Sequence, residues 1–374
     1  MSTQTRDPSL LERQTAEYRE LAAQGGLPAL ARAVIRSACR NGAATGPGPP
    51  AMGLLRSLPD ADRLALGRIW AHELPRIPLH GPYAFEEFGR TPAHVRGELL
   101  TVASGVVRGL DGDLLAAERR TRLAELSRLY ETGPGNRDWE LAVAELAAGR
   151  APAPDVVAVF RRTALGPGAP RALRETAAAL PGPVLNPGEP WADLALREAT
   201  GGPLEVLLAH PAPPTARAPS ARWARTSRAV LARAGPEWSR QRLHGWCDAF
   251  GLPRTVPLHA YRPVHPDAGQ PPDPYNCAVL RGVVWSLGLL PCAPDTARTL
   301  AGLTVAALRP LRDGRAVAPA VAEAAVTALG LLGDTAARDE LAGLTRRVIH
   351  RGTTRSIATA TALAGTGTGT GTGR

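Results

Sequence analysis

The chain has 374 residues, 44% hydrophobic, 4% aromatic and 21% charged, and its 44 basic and 34 acidic residues give a formal charge of +10. This apolar content excludes a disordered chain, and the length allows one large or two ordinary domains with a sizeable core. No lysine occurs, so every basic side chain other than histidine is an arginine. A P-loop, a protein kinase and a pyridoxal-phosphate or Schiff-base enzyme all require a lysine amine, so these classes are excluded. Five isoleucines and four asparagines stand against 39 glycines and 36 prolines. This is the pattern of a GC-rich genome, so part of the arginine content reflects codon bias.

The start, MSTQTRDPSLLERQ, is polar and has no apolar signal-peptide core. Apolar spacing (Leu10, Leu11, Gln14, Tyr18, Leu21) after Asp7-Pro8-Ser9 predicts a helix over 9–24, and Gly25-Gly26 ends it. A second helix is expected at 27–40, giving an N-terminal hairpin over 1–40. The composition of NGAATGPGPPAMG marks 41–53 as a Gly/Pro linker. Helices are expected next at 54–72, 92–110, 113–130 and 139–148, then shorter ones at 155–165, 170–180 and 190–199. Proline-rich breaks fall at 181–190, 211–219 and 252–274. The region 54–210 is either continuous with the helices C-terminal to it or a separate helical domain. The longest apolar run, 280–290 (LRGVVWSLGLL), is far shorter than the ~20 residues needed to span a bilayer. Cys39, Cys247, Cys277 and Cys292 are scattered without a C-x-x-C, which reads as reduced thiols of a cytoplasmic protein.

An internal repeat organises the C-terminal part. SLGLLPCAPDTARTLAGLT (286–304) and ALGLLGDTAARDELAGLT (328–345) align with an offset of 42 at Leu287/Leu329 and 41 at the shared LAGLT. Each copy is an apolar helix, a Gly/Pro/Asp turn and a second amphipathic helix. A helix-pair period of about 40–47 is the HEAT/armadillo size class, in which stacked neighbours bury one continuous core. The dense apolar stretches Val283-Val284-Trp285 and 321–332 suit the inner helices of such a stack.

Three segments then carry a family resemblance: Pro219-Ser220-Ala221-Arg222-Trp223, YNCAVLRGVVWSLGLL (275–290) and LAGLTRRVIHRGTTRSIATA (341–360). Over 219–363 the chain resembles the HEAT-like helical region of large bacterial MolR-type proteins that carry a C-terminal domain of unknown function. The resemblance implies a helical-repeat fold for 217–364. In that group further chain succeeds the repeat, whereas this sequence runs into alternating Gly and Thr over 365–374. Such a run cannot pack and is expected to be disordered. It marks either a shortened relative or the product of a frameshift in repetitive DNA.

Candidate chemistry is sparse. His72-Glu73-Leu74-Pro75-Arg76 begins like H-E-x-x-H, but the fifth residue is Arg and Pro75 breaks the helix. His244 and Cys247 share a helix face at i, i+3, with only the distant Cys277, Cys292, His259 or His265 to complete a site. A hydrogen-bonded histidine and a buried thiol are the simpler reading. No G-x-S-x-G occurs, and the adjacent pairs Glu86-Glu87 and Asp339-Glu340 point to different faces. No catalytic, metal or cofactor residue is expected, and the protein is read as a non-enzyme.

Arginine patterning is the stronger signal. Seven arginines and one acid, Glu237, lie between Arg217 and Arg242. On a helical wheel Arg222, Arg225, Arg228 and Arg233 gather opposite Trp223, Ser227, Val230 and Ala234. A second cluster is Arg346, Arg347, Arg351 and Arg355, with no acid after Glu340. Without lysine, every solvated basic face must use arginine, so these are ordinary surface or a phosphate-binding face. Aromatics are too few for a base-stacking platform: Trp223 is on the apolar side, and Trp238 and Trp246 recur at a core spacing.

The sequence therefore predicts an all-α chain, an α-solenoid of HEAT/armadillo-like helix pairs. Its expected function is a scaffold that holds a protein partner, the alternative being arginine-driven, sequence-independent binding of nucleic acid.

Overall fold

The computed structural model of the chain describes residues 8–40, 48–77, 92–110, 112–133, 136–213, 215–259, 271–311 and 313–366. Among these residues it is all-helical: α-helices and one short 3-10 turn, with no strand beyond two isolated bridges. Two compact units divide the chain. One holds the described residues up to Gly182 together with His259, and the other holds 183–258 and 271–366. The boundary places residues 183–210 in the unit that contains 217–364.

The first unit comprises α1 (Pro8–Ala23), α2 (Leu27–Arg40), α3 (Pro49–Arg56), α4 (Asp60–Glu73), α5 (Pro92–Val107), α6 (Ala116–Leu126), α7 (Trp139–Ala147), α8 (Pro154–Leu165) and α9 (Arg171–Ala179). Its core gathers Tyr18, Leu30, Trp70, Leu99 and Phe160, all fully buried. Because Tyr18 and Trp70 bury a polar handle, each finds a partner. The Tyr18 hydroxyl donates to Ser37 Oγ at 2.8 Å and Trp70 Nε1 to the Ala31 carbonyl at 3.4 Å. The linker expected at 41–53 is corrected at its end, since Pro49–Gly53 already forms the first turns of α3. Residues 41–47 lie outside the described residues. The single helix expected at 54–72 is two helices, because Pro59 caps α4 and interrupts the ladder.

The second unit comprises α10 (Pro190–Ala199), α11 (Pro203–Leu208), α12 (Ala221–Ala234), α13 (Pro236–Asp248), α14 (Pro274–Leu287), α15 (Pro294–Ala307), α16 (Pro319–Leu332), α17 (Thr335–Arg347) and α18 (Arg351–Thr366). Helices α14, α16 and α18 pack in succession, and so do α13, α15 and α17. The start signals are local. Asp273 Oδ1 accepts from the Tyr275 and Asn276 amides at 2.9 and 3.3 Å ahead of Pro274, and Asp334 accepts from the Ala337 amide at 2.8 Å. Gly333, at φ 65°, ends α16 in the left-handed conformation that glycine adopts without a Cβ clash.

The sequence repeat has a structural counterpart. Leu300 and Leu341 are both fully buried, and Thr304 and Thr345 each donate at 2.9 Å to the carbonyl four residues back, Leu300 and Leu341. The apolar α14 and α16 are buried almost throughout, Trp285 and Val321 included.

Candidate functional site

Helix α12 starts at Ser220, whose hydroxyl accepts from the Trp223 amide at 3.2 Å. It buries Trp223, Ser227, Val230 and Leu231 and carries no acidic residue. Arg222, Arg225, Arg228 and Arg233 are all exposed, and none pairs with a carboxylate among the described residues. The rest of the arginine run differs. Arg240 is nearly buried and donates to the Pro291 carbonyl at 2.8 Å, while Arg242 pairs with Glu198 at 2.7 Å and lies over the Trp238 ring. Those two arginines build the fold. Trp246 is fully buried, but Trp238 is 39% exposed, so its assignment to the core is corrected: it is a surface ring covered by Arg242.

In the second cluster Arg346 and Arg347 close α17 and Arg351 and Arg355 open α18, all exposed. Among the described residues only Arg347 of the four approaches an acid, Glu340 at 4.0 Å. Between the two pairs Ile349 is 96% exposed. Arg355 lines a small groove with Arg217, Thr327, Ser356, Thr359 and Glu323, and Thr327 Oγ1 donates to the Arg217 carbonyl at 3.2 Å. The fold thus brings the first arginine of one sequence cluster and the last of the other to a single groove.

His244 Nε2 lies 3.0 Å from Thr296 Oγ1 and Nδ1 is 3.8 Å from Asp295 Oδ2. Burial holds its imidazole below the ordinary value, against the pull of Asp295. Cys247 is buried and its thiol is pushed up by that burial, so it is poorly disposed to act as a thiolate. Cys247, Cys277 and Cys292 are free thiols. The backbone of His259 pairs with Arg128 and Tyr130. His72 closes α4 and Leu74-Pro75-Arg76 forms a 3-10 turn. Among the described residues no three of His, Cys, Asp and Glu are grouped as metal ligands. Asp339 is exposed and Glu340 half-buried. Glu86, Glu87 and His265 lie outside the described residues, as do residues 367–374 of the Gly-Thr run.

One constellation has no counterpart among the sequence motifs. In the second unit a cleft of about 560 Å³ is lined by Trp191, Phe250, Leu258, Arg254, Arg309 and several prolines, with Glu189 in its wall. Behind it stands a buried polar network. Glu189 accepts from the Asp273 amide at 2.7 Å and Arg254 Nη1 at 3.3 Å through Oε1, and from Asn276 Nδ2 at 2.9 Å through Oε2. Asn186 Nδ2 donates to the Asp273 carboxylate at 3.1 and 3.2 Å. Burial, with the nearby Asp273 charge, pushes the Glu189 carboxyl up despite these donors. Arg254 Nε and Nη2 are buried and have no hydrogen-bond partner among the described residues. The partners are separated by 65 to 90 residues in the chain, so no local motif announces them.

No family model, no curated protein and no solved structure matches the chain.

Proposed function

We propose that the chain is a HEAT-like helical-repeat module, non-enzymatic and cytoplasmic, that holds a protein partner on its helical surface. The observation that supports this is the succession α14–α16–α18 beside α13–α15–α17, in which equivalent leucines and threonines recur from one helix pair to the next. Such stacks offer an extended surface rather than a catalytic pocket. The resemblance of 219–363 to the MolR-type helical region points the same way. The test is purification of the tagged full chain with and without nuclease at low and high salt. A stoichiometric protein partner that survives nuclease and salt supports the reading, and a chain recovered alone throughout rejects it.

A second reading is favoured by one specific feature: four exposed arginines on an acid-free helix, Arg222, Arg225, Arg228 and Arg233. Guanidinium groups bind phosphates bidentately and without regard to sequence, so this face suits a nucleic acid backbone. Nucleic acid that co-purifies at low salt and is lost steeply as salt rises supports this second reading.

A further inference from the structure

We propose that the turn between α17 and α18 is a peripheral docking surface for an anionic lipid bilayer, with Ile349 entering the headgroup layer and the flanking arginines holding lipid phosphates. Two observations meet at this turn. Ile349 is 96% exposed, whereas the next most exposed large hydrophobic side chain among the described residues, Leu165, is 56% exposed. Arg346 and Arg347 precede it at the end of α17 and Arg351 follows it at the start of α18, all three exposed. Arg355, also exposed, stands one turn further along α18. The sequence has no acid from Leu341 to Thr366. Two acids from outside that stretch stand near it: Glu340, 4.0 Å from Arg347, and the half-buried Glu323, whose carboxylate lies beside Gly352. The four arginines outnumber them.

The turn is fixed on both sides of Ile349. The Val348 amide donates to the Leu344 carbonyl at 2.9 Å, and His350 Nδ1 lies 3.0 Å from Oγ1 of the buried Thr353. Ile349 is thus the residue held out in water between two anchored neighbours. Moving an aliphatic side chain out of water is favourable, and guanidinium groups bind phosphate oxygens bidentately. An anionic bilayer supplies both partners together, phosphates at its surface and acyl chains just beneath them. A nucleic acid backbone supplies the phosphates without an apolar layer behind them, so the exposed isoleucine favours the lipid. The contact is a surface one: among the described residues no helix is long and apolar enough to cross a membrane. It uses none of the α12 arginines and goes beyond both readings of the macromolecular partner.

Co-sedimentation of the full chain with vesicles tests the proposal, using phosphatidylcholine alone and phosphatidylcholine with about 30% phosphatidylglycerol. The chain is expected to bind the anionic vesicles, and the neutral ones at least ~10-fold more weakly. A chain of charge +10 adheres to any anionic surface to some degree, so the variants decide. Ile349→Ser is expected to weaken binding to the anionic vesicles about fivefold, while Ile349→Leu binds as the parent does. The pair Arg346→Gln and Arg351→Gln should weaken it about 25-fold, about fivefold for each arginine. The α12 triple Arg222→Gln, Arg225→Gln and Arg228→Gln should weaken it by no more than about twofold, since those residues are not part of the surface. All the replaced side chains are exposed, and unchanged urea midpoints confirm that each variant is folded. No binding to anionic vesicles, an Ile349→Ser variant that binds as tightly as the parent, or a larger loss from the α12 triple than from the Arg346 and Arg351 pair overturns the proposal. Oligonucleotide binding that is lost in that pair, with vesicle binding indifferent to Ile349, would assign the turn to nucleic acid and overturn it as well.

Discussion

Gly288 lies directly against the backbone of Ala328: a Cβ placed on it would fall 2.9 Å from both the Cα and the carbonyl oxygen of Ala328. The next layer repeats the device, since a Cβ on Gly330 would come within 3.0–3.3 Å of Ala360 Cβ, Cα and O. Gly288 and Gly330 are the same position of the LGLL repeat, so each helix pair approaches the next through one glycine. A Gly288→Ala change must push α14 from α16 and is expected to cost about 1–3 kcal/mol by overpacking. Gly330→Ala should cost less, because its contacts are slightly longer. Gly302, in the middle of α15 with open space where its Cβ would stand, is the control: Gly302→Ala should stabilise by about 0.5–1 kcal/mol. Urea unfolding followed by tryptophan fluorescence ranks the three variants. If Gly288→Ala is no less stable than the parent, the close approach is not what holds the layers.

Arg119 is 2% exposed and is held by Asp113 and by Glu145, whose Oε1 accepts from Nε at 2.7 Å; Arg150 closes the ring through Nε to Glu145 at 2.6 Å. Removing one buried partner leaves an uncompensated charge, so Arg119→Met is expected to destabilise by about 3–5 kcal/mol. The double variant Arg119→Met/Glu145→Met should be less damaged than the single one. Burial alone would raise the Asp113 and Glu145 carboxyls, but hydrogen bonds from Arg119 and Arg150 hold both below their ordinary values of 3.8 and 4.5. Carboxyls depressed in the folded state contribute stability that is present above the ordinary values and is lost as pH falls through the folded ones. Acid unfolding should therefore begin at higher pH in Arg119→Met than in the parent.

Glu189 has the opposite sign. Burial and the Asp273 charge raise its carboxyl above the ordinary 4.5, so in the window above that value the folded chain binds more protons than the unfolded one. Stability then declines as pH rises from about 4.5 through the raised value. Glu189→Gln removes this component. The pH dependence of its urea midpoint is expected to be flatter across that window than the parent's. Parallel pH profiles would show that Glu189 titrates at its ordinary value.

The readability of the chain tracks the range of the interactions. Helices opened by a proline and closed by glycine, such as α10 at Pro190–Ala199, are legible because their signals are local. The repeat is legible because burial of Leu300 and Leu341 at equivalent positions is written as identical letters. The face of α12 is legible from its 3.6-residue period. The six-residue α11 escapes the pattern, since Pro203–Leu208 is too short to show a period. Trp238 is misplaced by spacing alone, which does not say which face of α13 its neighbours cover. The Glu189–Asp273–Asn276–Asn186 network and its Arg254 partner are invisible in the sequence, since only the tertiary fold brings those residues together.

The arginine face of α12 separates the two macromolecular readings. Arg222, Arg225 and Arg228 are exposed and pair with no acid among the described residues, so replacing all three with Gln should shift stability by no more than about 0.5 kcal/mol per site. A phosphate-binding face would lose affinity about equally for every nucleic acid sequence, and the slope of log K against log salt would fall by about 1 for each arginine that contacts a phosphate. Arg240 and Arg242 supply the contrast: they hold the Pro291 carbonyl and Glu198, so Gln at those positions should lower stability without changing the salt slope. Fluorescence anisotropy with a single-stranded and a double-stranded oligonucleotide at several salt concentrations measures both quantities. A triple variant that binds as the parent does would remove nucleic acid from this face. The exposed arginines would then be ordinary solvated surface, the form that any basic helix must take in a chain without lysine.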